Sequence, residues 1–373
     1  MFASLYSTQA ILPELSRAFD VSAAGAGLTV SAATVAIAAT AWFWGPFSDR
    51  TGRVRAIRLA CILLFGPTLL VAVAPSFAVL LVARVLQGAC LPGLLVVGAP
   101  YVVEALVPRV GARAMGWYVG ALVAGGLVGR VGVALATSLV GWRWACAAVT
   151  LLPLAALAAM RGLPESAPPA RTRASLRNVV QLPLIAVTTV GCALFFAFVG
   201  TFTFITYRLE GPPFDVPLET ASLVFLLWTI GLAAPVFGRI VERWGWRFGA
   251  ALAVVLSALG VVVSRSGELA IVIPALACIA VATFFGYTST QLAVADVAPV
   301  DRGTASAFYF SAYYASGALG AYVPGLAWER WGWAGIVASG LVALGIAAAA
   351  LGVLLQRFEP VPMDDNTEPP YAL

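Results

Sequence analysis

The chain contains no histidine, and charged residues fill only 10% of its 373 positions. Without histidine it lacks the side chain that most readily exchanges a proton near neutral pH. Lysine is absent too: all 22 basic residues are arginine. That leaves no phosphate-cradling Gly-Lys loop. Cys61, Cys90, Cys146, Cys192 and Cys278 are odd in number and show no metal-ligand spacing, so they read as small apolar packers. With no His/Asp/Ser set either, the chain is not expected to be an enzyme or to hold a cofactor or metal. A soluble domain carries roughly 25% charged residues. A chain this poor in charge and 61% hydrophobic is read with the bilayer as its solvent.

Apolar stretches fall near 24–44, 56–74, 77–100, 114–139, 144–160, 181–206, 219–238, 248–264, 269–294, 303–327 and 333–356, mostly as long as a spanning helix requires. The opening MFASLYSTQAILP would cover only about 20 Å as helix, against roughly 30 Å of hydrocarbon. It reads as the second half of a first transmembrane helix whose beginning is missing; the alternative is a short interfacial segment. Loop charge then orients the chain. Fifteen arginines lie in the loops and tail of one side and five (Arg17, Arg143, Arg208, Arg265 and Arg330) on the other. The positive-inside rule puts the richer side, and both termini, in the cytoplasm of a bacterial inner membrane. Trp42, Trp44, Trp142, Trp144, Trp244, Trp246, Trp328, Trp331 and Trp333 fall beside loops, where indoles prefer the interface.

An internal repeat supplies the architecture. Gly45, Asp49, Arg50 and Gly52 match Gly238, Glu242, Arg243 and Gly245 at one constant offset. At a second, Pro108, Tyr118, Gly126, Gly129, Gly141 and Trp142 fall on Pro299, Tyr309, Gly317, Gly320, Gly332 and Trp333. The expectation is an all-α membrane protein of twelve transmembrane helices, the first truncated, in two pseudo-symmetric six-helix bundles. Their bounds are 1–160 and 181–356, with a polar, proline-rich linker at 161–180 and an acidic, disordered tail at 357–373. Parallel repeats of this kind point to a transporter with its site between the halves, near midplane.

GPFSDRTGRVR at 45–55 resembles the loop signature of the major facilitator superfamily between helices two and three. ARVLQGAC at 83–90 resembles that family's helix-four arginine motif, and AGGLVGRVG at 124–132 the helix-five motif of its drug:proton antiporters. LYSTQAILPELSRAF resembles the first-helix exit of bacterial permeases labelled as predicted sugar (arabinose) efflux proteins. The resemblance implies efflux with protons as counter-ion, and a gate latch in the first motif. The helix-five motif has Pro where this chain has Gly126 and Gly where it has Arg130, which weakens that carry-over.

In the latch reading, Asp49 caps a neighbouring helix N-terminus and leaves Arg53 free to pair with Glu104, while Asp296 mirrors that pairing for Arg243. The alternative is a plain basic loop obeying the orientation rule. Arg84 and Arg130 are the only charges well inside the hydrocarbon, with Gln87 one turn from Arg84. Such arginines either line a water-filled cavity or are satisfied by carbonyls. Ala121, Gly125 and Gly129 form a small-residue face for close packing. In the second half, Phe195, Phe198 and Phe202 share one helix face, as do Tyr287, Thr290 and Gln291, and Ser306, Tyr309, Tyr313, Gly317 and Gly320. These stripes are helix packing or a mostly apolar ligand pocket. Glu14, at the outer end of the first helix, is the sole weak candidate for proton coupling.

Three functions remain on sequence alone. The first is proton-coupled efflux of a small amphipathic or sugar-like compound by a monomeric carrier with no nucleic-acid partner. The second is transport of an organic anion clamped by Arg84 and Arg130. The third, a sensor or enzyme on the same scaffold, lacks both a folded cytoplasmic module and a catalytic set.

Overall fold

The computed structural model describes residues 1–111, 113–164, 181–298 and 302–357, and these are helical with no strand among them. The first segment, α1, is broken: a helix Phe2–Tyr6, a 3-10 turn Gln9–Ile11 and a second helix Leu12–Phe19. Pro13 explains the break, because it lacks an N–H and its ring clashes with the carbonyl four residues back. The spans that follow are α2 (Ala23–Thr51), α3 (Arg53–Val73), α4 (Phe77–Leu106), α5 (Arg113–Val140), α6 (Trp142–Ala159), α7 (Leu182–Glu210), α8 (Leu218–Trp244), α9 (Trp246–Val263), α10 (Leu269–Val297), α11 (Arg302–Trp331) and α12 (Trp333–Arg357). Ten of these are long and apolar enough to cross a bilayer by length and composition, and α11 is 30 residues long. Large apolar side chains such as Leu139, Val342 and Ile62 point outward. That is the pattern of a fold whose solvent is lipid. Most of the linker (165–180) and the tail (358–373) lie outside the described residues.

The repeat shows up as corners. Gly52 and Gly245 are each the single residue between two helices, at φ 98° and 82°. Gly141 and Gly332 do the same on the opposite rim, at φ 82° and 55°. Only glycine adopts such angles without strain, so the matched pairs fix equivalent turns. The charged stretch at 45–55 is therefore not the loop its composition suggests. It is the last two turns of α2, one glycine and the first turn of α3. Gly45 and Gly238 do not need to be glycine for close approach, since an added Cβ would meet only Val96 at 4.0 Å in one case and nothing in the other.

The two rims differ in arginine content, and the halves meet at the arginine-poor one. There α2 runs against α11 with almost no side chain between them. A Cβ on Gly27 would strike the Ala321 carbonyl, and one on Gly325 would reach the Ala24 backbone at 2.8 Å. Ser31 Oγ donates to Ala318 O at 2.6 Å, and Ala24 N donates to Glu329 Oε1 at 3.2 Å. Small residues permit this backbone approach, which is how helices adhere in a solvent as apolar as themselves. Gly27→Leu should wedge the seam apart. Ser31→Cys, buried in the native seam, should then react with a membrane-impermeant thiol reagent; continued protection would show that the seam does not open there.

Candidate functional site

Two arginines, Arg84 and Arg130, are buried deep among the helices of the first half and solve different problems. Arg84 on α4 is fully buried. Its Nε donates to Thr29 O at 2.7 Å, Nη1 to Ser4 O at 2.8 Å and to Gln87 Oε1 at 2.7 Å, and Nη2 to Leu5 O. Ser4 and Leu5 end the first piece of α1, so their carbonyls have lost the helical N–H partners that a continuous helix would supply. Arg84 replaces those partners, and Gln87 is held in turn by donating to Thr68 Oγ1 at 3.1 Å. This arginine is consumed by backbone. As a carboxylate clamp, one of its two expected roles, it has too few N–H groups to spare.

Arg130 sits where the regular helix gives way. Residues Val128–Gly132 of α5 form a π-helical turn, a bulge that is frequent at functional sites. The side chain is 1% exposed. Its guanidinium carbon lies 3.5 Å from the Tyr6 ring centre and 4.1 Å from that of Trp228, with Phe225 at 5.4 Å. Nε donates to Gln9 Oε1 at 2.7 Å, and Nη1 has a long contact to Gly126 O at 3.4 Å. No ion pair to Arg130 occurs among the described residues. The cation is held by π faces and one amide oxygen, interactions worth roughly 0.5–2 kcal/mol each.

The same cluster joins the halves. Trp228 lies on α8, in a 3-10 stretch Ser222–Ala233, and packs on Tyr6 at 5.4 Å, Phe198 at 5.6 Å and Phe284 at 5.3 Å between ring centres. Phe202 closes on Phe198 at 4.5 Å. Gln9 completes the bridge by donating its amide N–H to Thr203 Oγ1 of α7 at 3.1 Å. A Cβ at position 126 would come within 3.1 Å of Trp228 Nε1 and 3.2 Å of Arg130 Nη1. Gly126 thus leaves the space that Trp228 and Arg130 fill, which accounts for the departure from the antiporter motif. Gly129 fits against the Ala3 backbone, as its place in the small-residue face implies.

The tyrosine stripe of α11 divides. Tyr309 is fully buried and shares a 2.8 Å hydrogen bond with Thr290, so it belongs to the core of the second half. Tyr313 stacks on Phe195 at 4.0 Å and lies 5.5 Å from Tyr287, to whose hydroxyl Gln291 donates at 3.1 Å. Gly317 and Gly320 make room for the Phe195 ring and the Phe196 backbone. A separate apolar recess of about 400 Å³, lined by Leu209, Val224, Leu227, Ile230, Leu269 and Ile273, does not touch Arg130.

At the arginine-rich rim, Arg53 is the hub. It pairs with Glu104 through two N–H groups at 3.0 and 3.2 Å, with Asp49 at 2.8 Å, and with Ser48 Oγ at 2.7 Å. Asp49 therefore does not leave Arg53 free; the guanidinium holds both acids at once. The second half departs from the expected mirror. Asp296 accepts from Trp246 Nε1 at 3.0 Å, Arg243 lies 6.0 Å from the Trp244 ring centre, and no ion pair joins Arg243 to Asp296 among the described residues. Arg50 is exposed. Glu14 pairs with Arg17 at 2.8 Å on an exposed surface, away from Arg130.

Tyr6, Gln9 and Trp228 escape the sequence reading. Trp228 did leave a signal: with Trp117, it is one of two tryptophans not beside a loop, and it falls mid-run.

Twelve helical segments around a charged, aromatic site shared by both halves define a membrane carrier. The Major Facilitator Superfamily model matches residues 1–321, and the chain belongs to that family. It is a transporter and not an enzyme. Inner membrane transport protein YnfM of Escherichia coli is 29% identical over 374 residues, covering 95% of this chain and 88% of that one. The MFS-type transporter YybF of Bacillus subtilis is 27% identical, covering 90% and 86%. A protein of Cupriavidus pinatubonensis named "Probable 4-methylmuconolactone transporter" is 34% identical over 134 residues, covering 35% of this chain and 30% of its own. Among solved structures, a bacterial homolog of the human lysosomal transporter Spinster, inward-facing and occupied, superposes with a TM-score of 0.79 at 16% identity, covering 96% and 94%.

The two buried arginines should separate by substitution. Arg84→Met strips the arginine's hydrogen bonds from Leu5 O, Ser4 O, Thr29 O and Gln87 and should cost on the order of 3 kcal/mol. Arg130→Met loses one good hydrogen bond and the π contacts and should cost about 1 kcal/mol. Thermal midpoints of the detergent-solubilised variants check the ranking; a larger loss for Arg130→Met would reverse the roles assigned here.

Proposed function

We propose that the protein is a secondary transporter that carries a small organic anion with a planar, apolar body by alternating access, with Arg130 as the anchor. The observation that supports this most is a buried guanidinium between the halves with no acid paired to it among the described residues. A buried charge without a counter-charge is a poor resting arrangement, and a carboxylate meets it with two charge-assisted hydrogen bonds. Tyr6, Trp228 and Phe198 offer ring faces to the rest of such a ligand. Those rings and Arg130 are buried against one another here, so a ligand enters by displacing ring contacts as the halves part. Tyr287, Gln291 and Tyr313 extend the lining, and Phe202 backs it. Arg84 and Gln87 support the site from α4 by fixing α1.

The arginine-rich rim faces the cytoplasm in this reading, which follows the loop-charge bias. The seal between α2 and α11 then lies on the outer side, and the conformation is closed to the outside. Arg53 with Asp49 and Glu104 makes the cytoplasmic latch of the first half, and Gly238, Glu242 and Arg243 are its unpaired counterpart in the second. Transport runs outward against protons, as the resemblance to efflux permeases implies. The name of the 4-methylmuconolactone relative fits a small ring-bearing substrate.

A second reading, export of a neutral amphipathic compound, draws on the aromatic lining. The two part on charge. Aromatic carboxylates should bind the purified protein more tightly than their amides, and Arg130→Met should weaken the carboxylates by about 10–100-fold. The amides should be unaffected. Equal binding of acids and amides by the native protein would favour the neutral reading.

A further inference from the structure

The seal on the arginine-poor rim has an ionic part that the sequence did not reveal. Glu210, the last residue of α7, meets Arg17 of α1 across the halves at 3.1 Å. Beside this pair, Ser16 and Tyr207 share a 2.5 Å hydrogen bond between the same two helices. Arg17 is itself divided, because Glu14 takes its Nε and Nη2 at 3.3 and 2.8 Å. Glu210 receives a single bond on Oε2, while Oε1 is buried without a partner. Of the three ion-pairing side chains Glu210 is the most enclosed, 17% exposed against 36% for Glu14 and 60% for Arg17. Glu219, at the start of α8, adds a third carboxylate to its surroundings. The groups facing Glu210 are thus Arg17 and Glu14 from α1, Tyr207 from its own helix and Glu219 from α8. One cation serves two acids, with a third carboxylate beside Glu210.

We propose that Glu210 is a proton-binding site, and that a proton replaces Arg17 on its carboxylate when the arginine-poor rim opens. In the sealed state Glu210 is an anion held by Arg17. When α1 draws away from α7, Arg17 leaves with Glu14, its partner on the same helix. Glu210 would then be a half-enclosed carboxylate among like charges with no cation, the situation in which a carboxylate takes up a proton. The aqueous phase on that side supplies the proton, forming the neutral acid as the ion pair breaks. Closure returns Arg17 and expels the proton. Acid on that side therefore favours the open rim. The inference rests on the alternating access of the proposed function but not on its substrate, so it can fail while the Arg130 reading stands.

The test is conformational. Nitroxide labels at Pro75→Cys and Gly267→Cys, exposed on the same rim in opposite halves, report its opening by electron-spin distance measurement in a variant lacking the five native cysteines. In the otherwise native protein the distance should lengthen as pH falls from about 8 to about 5. Glu210→Gln, which resembles the neutral acid and cannot form the ion pair, should give the long distance at every pH. Arg17→Gln removes the cation that sets the two states apart, so it should flatten the pH response and lengthen the distance at pH 8. Glu14→Gln should keep a pH-dependent opening. A distance insensitive to pH in the native background would overturn the proposal. So would a native pH response retained in Arg17→Gln, or a response lost in Glu14→Gln but kept in Glu210→Gln.

Discussion

In hydrocarbon no water is available to a backbone carbonyl that has lost its helical partner, and the first segment of this chain has at least two such carbonyls. Its helix breaks before Pro13, and Arg84 reaches from α4 to bond Ser4 O, Leu5 O and, from α2, Thr29 O. The remainder of the site depends on this repair. With the break held, α1 presents Tyr6 and Gln9 to Arg130 on α5. Gln9 and Tyr6 in turn meet Thr203 and Trp228 of the second half. Breaking a spanning helix is tolerated only where its freed groups are buried in protein, and here the burial also creates the contact surface between halves.

The two halves repeat in order but not in chemistry. Glycine corners match at both rims, so the turns are equivalent. The cations buried at the centre, Arg84 and Arg130, belong to the first half and most of the aromatic faces to the second, which leaves the centre a meeting of unlike surfaces. The rim motif diverges as well. In the first copy Arg53 ties α3 to both Asp49 and Glu104, whereas in the second a tryptophan has taken Asp296. A symmetric scaffold gives two motifs of similar backbone geometry; the side chains tie only the first copy by charge among the described residues.

Helix count, the internal repeat and the rim motif were legible because each rests on local signals: apolar run length, glycine spacing and charge placement. Arg84 and Arg130 were legible as intramembrane charges, since nothing apolar around them could be mistaken for a charged surface. Their division of labour was not. Which arginine is satisfied depends on where α1 breaks and on which carbonyls the break exposes, and neither is a property of the residues flanking Arg84. Glu210 was missed for a related reason. It sits beside Arg208 at the end of an apolar run, where a charged pair reads as ordinary rim, while its partner Arg17 is far away in sequence. Trp228 and Tyr6 are apolar residues in apolar runs, and only the third dimension distinguishes a ring over a cation from a ring in a core.

Charge bookkeeping links the centre and the rim. At the centre, Arg84 and Arg130 stand without an acid among the described residues; at the arginine-poor rim, two carboxylates share one guanidinium and a third lies beside Glu210. The surplus positive charge and the surplus negative charge are thus kept apart in the same conformation, each partly enclosed. An anion arriving at Arg130 and a proton arriving at Glu210 would neutralise different surpluses. Neither ligand needs to touch the other to influence it, because both act on α1: Gln9 and Tyr6 face the centre, while Ser16 and Arg17 face the rim, about two turns away along one short segment. Coupling of this kind requires an element shared by two sites, and α1 is that element: its first pieces, Phe2–Tyr6 and Gln9–Ile11, carry Tyr6 and Gln9, and Leu12–Phe19 carries Ser16 and Arg17.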